Sequence, residues 1–164
     1  MRIAIVSDTH GNFALAVRAL DVLGHFDHII HLGDTTADAE VMELALGREM
    51  IITSGNCDMN REYPHCLVMD LCGKKFLITH GDRFQVKSGL AKIYQGALDE
   101  GADIVLYGHT HVPSIEHIDE VTLMNPGAVT KAARHQTMGI ITIEDGAVHG
   151  EIIDLNELLN PVDA

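Results

Sequence analysis

The stretch Arg2-Ile3-Ala4-Ile5-Val6-Ser7-Asp8-Thr9-His10-Gly11-Asn12 decides how the chain is read. Its first half is an apolar run that reads as a strand over 2–7, buried on both faces. Its second half sets a carboxylate and an imidazole directly after that strand. The pattern recurs along the chain. Ile29–Leu32 leads to Gly33-Asp34, Met50–Ile52 to Gly55-Asn56-Cys57-Asp58, Phe76–Ile78 to Thr79-His80-Gly81-Asp82, and Ile104–Leu106 to Gly108-His109-Thr110-His111. Five strand ends that each carry hard or borderline metal ligands imply that one rim of a buried sheet holds a metal site.

Outward from the first strand, Phe13, Ala16, Val17, Leu20 and Leu23 follow helical spacing, with Asn12 placed to cap the helix and Gly24 to end it. A strand over 28–32, a helix over 37–46 and a strand over 50–53 follow. This strand-helix alternation favours a parallel sheet. The second half differs. Cys66–Leu71 and Lys74–Thr79 flank a Cys72-Gly73 turn, 87–99 reads as a helix, and strands are expected at 103–107, 114–118 and 121–124. A last hairpin pairs 138–143 with 147–154 about Asp145-Gly146, a strong turn signal. The expected architecture is α/β: a two-layered β-sandwich of mixed sheets flanked by α-helices, in one domain over 1–164. The stretch 155–159 is expected to cap the fold and to offer a surface for a homo-oligomer contact.

Composition narrows the function. With 164 residues the chain can bury a real core, and 46% hydrophobic content argues against disorder. No apolar run reaches the roughly 18 residues of a membrane span, and the strand beginning beside Met1 leaves no room for a signal peptide. Three cysteines without a CxxC pair suggest reduced thiols and a cytoplasmic protein, and exclude a zinc ribbon. A net charge of -13 disfavours long nucleic acids and anionic lipid surfaces as partners. A phosphate-bearing substrate still fits if bound metals dominate the local potential.

In an extended segment residues i and i+2 share a side, so Asp8 with His10, and His109 with His111, are expected to form like pairs. Carboxylate and imidazole suit Mn, Fe, Zn or Ni. Glycines 11, 33, 55, 81 and 108 would let the backbone turn sharply beside the ligands. Asp8, His10, Asp34, Asn56, His80, His109 and His111 make seven ligands, more than one tetrahedral ion needs. A carboxylate shared between two ions is the economical arrangement. Such ions, ~3.5–4 Å apart, can clamp both oxygens of a phosphoryl displacement.

Alone, each residue has a plainer explanation. Asp34 could cap the next helix, Asn56 could tolerate a left-handed turn, and His80 could be a satisfied buried histidine. His31 reads as packing, and Cys66 and Cys72 as core or hairpin residues. The joint occurrence of the clusters favours the metal reading for the seven.

In order, D-x-H-G-N, G-D, G-N-C-D, T-H-G-D, G-H-T-H and N-P-G-A resemble the calcineurin-like metallophosphoesterases, and among them the small YfcE-type phosphodiesterases, over about residues 1 to 155. The resemblance implies Asp8, His10 and His111 on one metal, Asn56, His80 and His109 on the other, and Asp34 bridging. It implies hydrolysis of small phosphodiesters by a metal-bridging hydroxide, with two divalent ions, manganese first and Ni, Zn, Fe or Mg as substitutes. Asn56, Cys57, Asp58 and His80 are the expected catalytic positions, with Asn12 and Asn56 on the substrate. Many relatives carry histidine where Cys57 stands, and a thiol is a poor substitute acid. Ala128 replaces a common serine, which puts a phosphate contact there in doubt. The alternatives are a phosphomonoesterase, or a non-catalytic scaffold resembling the retromer subunit, whose ligands are degraded.

Overall fold

Apolar side chains from ten strands, most of them isoleucine and leucine, meet between two sheets in the computed structural model, which describes residues 1–59 and 62–160. In chain order the elements begin with β1 (Arg2–Val6), α1 (Phe13–Leu23), β2 (His28–His31), α2 (Thr36–Leu46) and β3 (Ile51–Ile52). They continue with β4 (Cys66–Leu71), β5 (Lys74–Thr79), α3 (Ala91–Glu100), β6 (Ile104–Leu106), β7 (Ser114–Ile118) and β8 (Val121–Asn125). They end with β9 (Thr137–Glu144), β10 (Ala147–Asp154) and α4 (Leu155–Leu159).

The first sheet has the order β10-β9-β1-β2-β3 and the second β4-β5-β6-β8-β7. Within the first, β1-β2 and β2-β3 are parallel and β9 runs antiparallel to β1. Within the second, β5-β6 and β6-β8 are parallel, while β4 and β7 pair antiparallel at the edges. Both sheets are mixed, and four α-helices flank them, as the sequence predicts.

The period of two along each strand explains the double burial. Ile3 and Ile5 join Phe76, Ile78, Ile104 and Leu106 in the layer between the sheets. Ala4 and Val6 point the other way, onto Ala16, Ala19 and Leu20 of α1. On the second sheet Leu77 and Val105 meet Ile93 and Ala97 of α3. Each fully buried aliphatic side chain contributes roughly 1.5–3 kcal/mol.

One expected element and one expected cap change. The helix read over 87–99 is split: Val86–Ser88 is a short 3-10 turn, and α3 begins only at Ala91. Gly89 separates them at φ +128, a backbone angle that breaks a helix although the apolar spacing of Val86, Leu90 and Ile93 runs through it. Asn12 does stand at the N-cap of α1, but its side chain makes no capping bond. Cys66 starts edge strand β4 and Cys72 sits in the β4–β5 turn, both exposed, so of the two readings the hairpin one holds. Residues 155–159 form a single short helix packed through the buried Leu155. No helix among the described residues is long and apolar enough to cross a membrane.

Candidate metal centre

β1, β2, β5 and β6 all end at the same rim, and each delivers its ligand through a tight turn. Asp8 (φ 53), His10 (φ 42), Asp34 (φ 56), His109 (φ 67) and His111 (φ 59) all adopt left-handed backbone. Such conformations cost on the order of 1 kcal/mol each for ordinary residues, and they collect where side chains must be aimed. This corrects the extended reading of the two i, i+2 pairs. Asp8 and His10 still share a cluster, but across a turn. His109 and His111 face different clusters.

The glycines act for two reasons. Gly11, Gly33 and Gly81 take positive φ, as expected. Gly55 and Gly108 do not, so they are there for room. A Cβ on Gly55 would lie 2.2 Å from Oδ1 of Asp34, and one on Gly108 would lie 2.1 Å from Oγ of Ser7.

Two groups of donors result: Asp8, His10 and His111, and Asp34, His80 and His109, each with ligating atoms within 4.8 Å of one another. His111 Nε2 is 3.0 Å from Asp8 Oδ1, and His10 Nε2 is 4.0 Å from the same oxygen. His80 Nε2 approaches His109 Nδ1 to 3.1 Å. Asp34 stands between the groups. Its Oδ1 is 3.4 Å from His80 Nε2 and its Oδ2 is 3.8 Å from His10 Nε2.

The electrostatics fit cations. Asp8 and Asp34 are buried, at 0% and 2% exposure, yet among the described residues neither pairs with a lysine or arginine. Buried carboxylates need compensating charge. Burial would raise the Asp8 carboxyl, but the hydrogen bond from His111, the charge of His80 and the Ser7 hydroxyl hold it below the usual range. Asp34 is likewise held down, against its burial, chiefly by His80. Burial opposes protonation of His80, and Asp34 and Asp8 overcome it and raise the imidazole. His109 is lowered by burial and by His80. A ring of donors so dependent on borrowed protons is one that divalent ions can complete.

Outer contacts aim the ligands. His80 Nδ1 is 3.0 Å from the carbonyl of Leu32, which places the proton on Nδ1 and leaves Nε2 as a donor to metal. Asp58 accepts four backbone N–H bonds, from Asp34 at 2.9 Å, Thr35 at 2.8 Å, Thr36 at 2.7 Å and Gly55 at 2.8 Å. One carboxylate thus caps α2 from a distance and ties the Asp34 loop to the Asn56 loop. His31, read as packing, is wholly buried; its Nδ1 accepts from Gly33 N–H and its Nε2 meets Thr9 Oγ1. Asn125 donates to the Gly108 carbonyl and to Thr110 Oγ1, holding the last turn. Those of these contacts that join distant segments, such as Asp58 with Asp34 and His80 with Leu32, leave no local trace in the sequence.

Asn56 and Cys57 are exposed beside the clusters, and Cys57 N–H donates to Asp34 Oδ1 at 2.9 Å. Burial, and then Asp34 and nearby carboxylates, push the Cys57 thiol up to about 11. Asn12 gives an amide N–H to the Val129 carbonyl at 2.7 Å. Ala128 is fully buried and makes no surface contact.

Residues 1–146 match the calcineurin-like phosphoesterase superfamily domain. A probable metallophosphoesterase of Bacillus subtilis is 30% identical over 90% of this chain and 87% of its own length. A phosphodiesterase of Methanocaldococcus jannaschii is also 30% identical, over 77% of this chain and 83% of its own. Among solved structures, a predicted phosphoesterase from Streptococcus pneumoniae superposes with TM-score 0.78 at 27% identity, covering 94% of this chain and 90% of that one. Vps29 of Entamoeba histolytica, complexed with zinc, superposes with TM-score 0.71 at 18% identity, covering 95% and 100%, a likeness of fold alone. Ligand motifs, paired donor clusters and family match agree: the chain belongs to the calcineurin-like phosphoesterase superfamily.

Proposed function

We propose that the protein is a two-metal phosphodiesterase of small organic phosphodiesters, built as one metallophosphoesterase domain over 1–164. The observation that carries this reading is Asp34, whose two oxygens face histidines of separate clusters. Asp8, His10 and His111 would hold one ion, and Asn56, His80 and His109 the other, with Asp34 shared. Divalent ions bound there would polarise the phosphoryl oxygens and supply an activated water near neutral pH. Mn is the first choice for this carboxylate and imidazole set, with Ni, Zn, Fe and Mg as substitutes.

The chain's own groups do the rest. His80, fixed by Leu32, keeps Nε2 aimed at the centre. Asp58 holds the Asp34 and Asn56 loops in register, so we assign it a positioning task in place of direct chemistry. Asn56 is the substrate-side amide, joined by Asn12 with one N–H already given to Val129. Cys57 stays protonated through the neutral range and offers a departing alkoxide little acid help. The three exposed free cysteines support a cytoplasmic setting. The scaffold alternative has only the fold likeness in its favour, whereas all seven ligand positions here hold competent side chains.

The test is Asp34→Asn, with metal content and hydrolysis of bis(p-nitrophenyl) phosphate measured on protein stripped and resupplied with Mn, Ni, Mg or Zn. We expect roughly a hundredfold or greater loss of turnover and reduced metal content. Normal turnover in the variant would refute the shared-ligand role.

A further inference from the structure

Beside the centre, a groove of about 520 Å³ is lined by Asn56, Asp58, Tyr63, His65 and Arg83, among others. Asn56 links it to the reacting position. Of its two charged side chains, Asp58 is committed to the four backbone N–H groups described above. Arg83 is exposed and, among the described residues, makes no ion pair. Nδ1 of His65 is buried without a hydrogen-bond partner among the described residues.

The position of Arg83 is built in by the fold. It sits in the 3-10 turn Asp82–Phe84, two residues past the His80-Gly81 pair. Phe84 N–H bonds the Gly81 carbonyl at 3.1 Å, and Gln85 N–H bonds the Asp82 carbonyl at 3.0 Å. The Phe84 ring lies so close over Gly96 of α3 that a Cβ there would come within 2.7 Å of it. The turn is therefore clamped between a metal ligand and a helix. In a chain of net charge -13, a guanidinium held beside the centre gives the groove a local positive charge.

We propose that Arg83 makes this groove a subsite for an anionic arm of the substrate. The substrate class is then a phosphodiester with one organic arm carrying a second negative group, a carboxylate or a phosphate, which the guanidinium can grip in bidentate fashion. This inference rests on the phosphoesterase reading and names the substrate class of that same site.

The experiment compares three p-nitrophenyl phosphodiesters whose second arm is pentyl, 4-carboxybutyl or 4-phosphonooxybutyl. With the metal-loaded enzyme, an anionic arm should lower KM at least about tenfold relative to pentyl. The carboxylate and phosphate arms show which anion is preferred. In Arg83→Gln the KM ratio should collapse toward one, and Arg83→Lys should keep part of it. Arg18→Gln, which removes an equal charge from the exposed side of α1, should keep the whole ratio. Equal KM values for the three arms in the wild type, or a ratio that survives Arg83→Gln, would overturn the proposal. A second readout is binding to metal-free protein, followed through the Nε–H resonance of Arg83. It should move with the anionic arms and stay with pentyl. If no diester is hydrolysed, the phosphoesterase reading fails, and this resonance still decides the role of Arg83: a shift with all three arms or with none rejects it.

Discussion

On the proposed reading, Cys57 would stand where a departing alkoxide takes its proton, and its thiol is pushed up to about 11. A group so reluctant to ionise gives little assistance near neutral pH. Across a series of aryl phosphodiesters, kcat should therefore fall steeply, roughly several-fold to tenfold for each unit rise in leaving-group pKa. A flat series with chemistry rate-limiting would show that an effective acid exists. His31 offers a second measurement. Burial lowers its imidazole to about 4, well below an unfolded histidine near ~6.5. The unfolded chain binds the extra proton first, so this contribution is complete above the unfolded value and is lost as pH falls through about 4. The shift corresponds to something on the order of 3 kcal/mol. Urea midpoints of metal-free wild type and His31→Gln, compared from pH 7 down to 4, should converge as the wild type loses its advantage. Parallel curves would contradict the assignment.

Among the elements, α2 depends on a residue outside itself. Asp58 receives the N–H groups of Asp34, Thr35 and Thr36 at its start, and of Gly55 across the gap. Asp58→Ala should cost about 2–4 kcal/mol in urea unfolding and reduce metal retention, because four donors lose one acceptor and Asp34 loses its backbone support. Unchanged stability and metal content would remove Asp58 from the scaffold of the site. The elements also show what a sequence can disclose. α1 and the β4–β5 hairpin are found where periodicity and the Cys72-Gly73 turn put them. The start of α3 was hidden because apolar spacing continues across Gly89, whose backbone angle interrupts the helix. The six residues of the two donor clusters were readable because each follows a strand of mostly buried side chains. The turns that aim them were not, since a left-handed aspartate or histidine is stabilised by partners such as Asp58, His31 and Asn125 that arrive from distant segments. Arg83 lay beyond sequence reasoning for the same reason: a single arginine acquires meaning only from the groove it lines.

For the molecule as a whole, each donor cluster draws on both sheets. Asp8 and His10 follow β1 of the first sheet and are joined by His111 after β6 of the second. Asp34 follows β2 of the first and is joined by His80 and His109 from the second. Cations bound to the native state alone should raise its stability by mass action, about 2.7 kcal/mol at a free concentration a hundred times the dissociation constant. Thermal midpoints should accordingly rise with added Mn and fall with chelator, and the effect should shrink in Asp34→Asn. Insensitivity to both additives would argue against ion binding. The same geometry makes the centre a fastener across one rim of two sheets whose shared interior is otherwise held by apolar packing. Chelation should then be seen first as faster amide exchange at Thr35 and Thr110, while the isoleucines of β1 keep their protection.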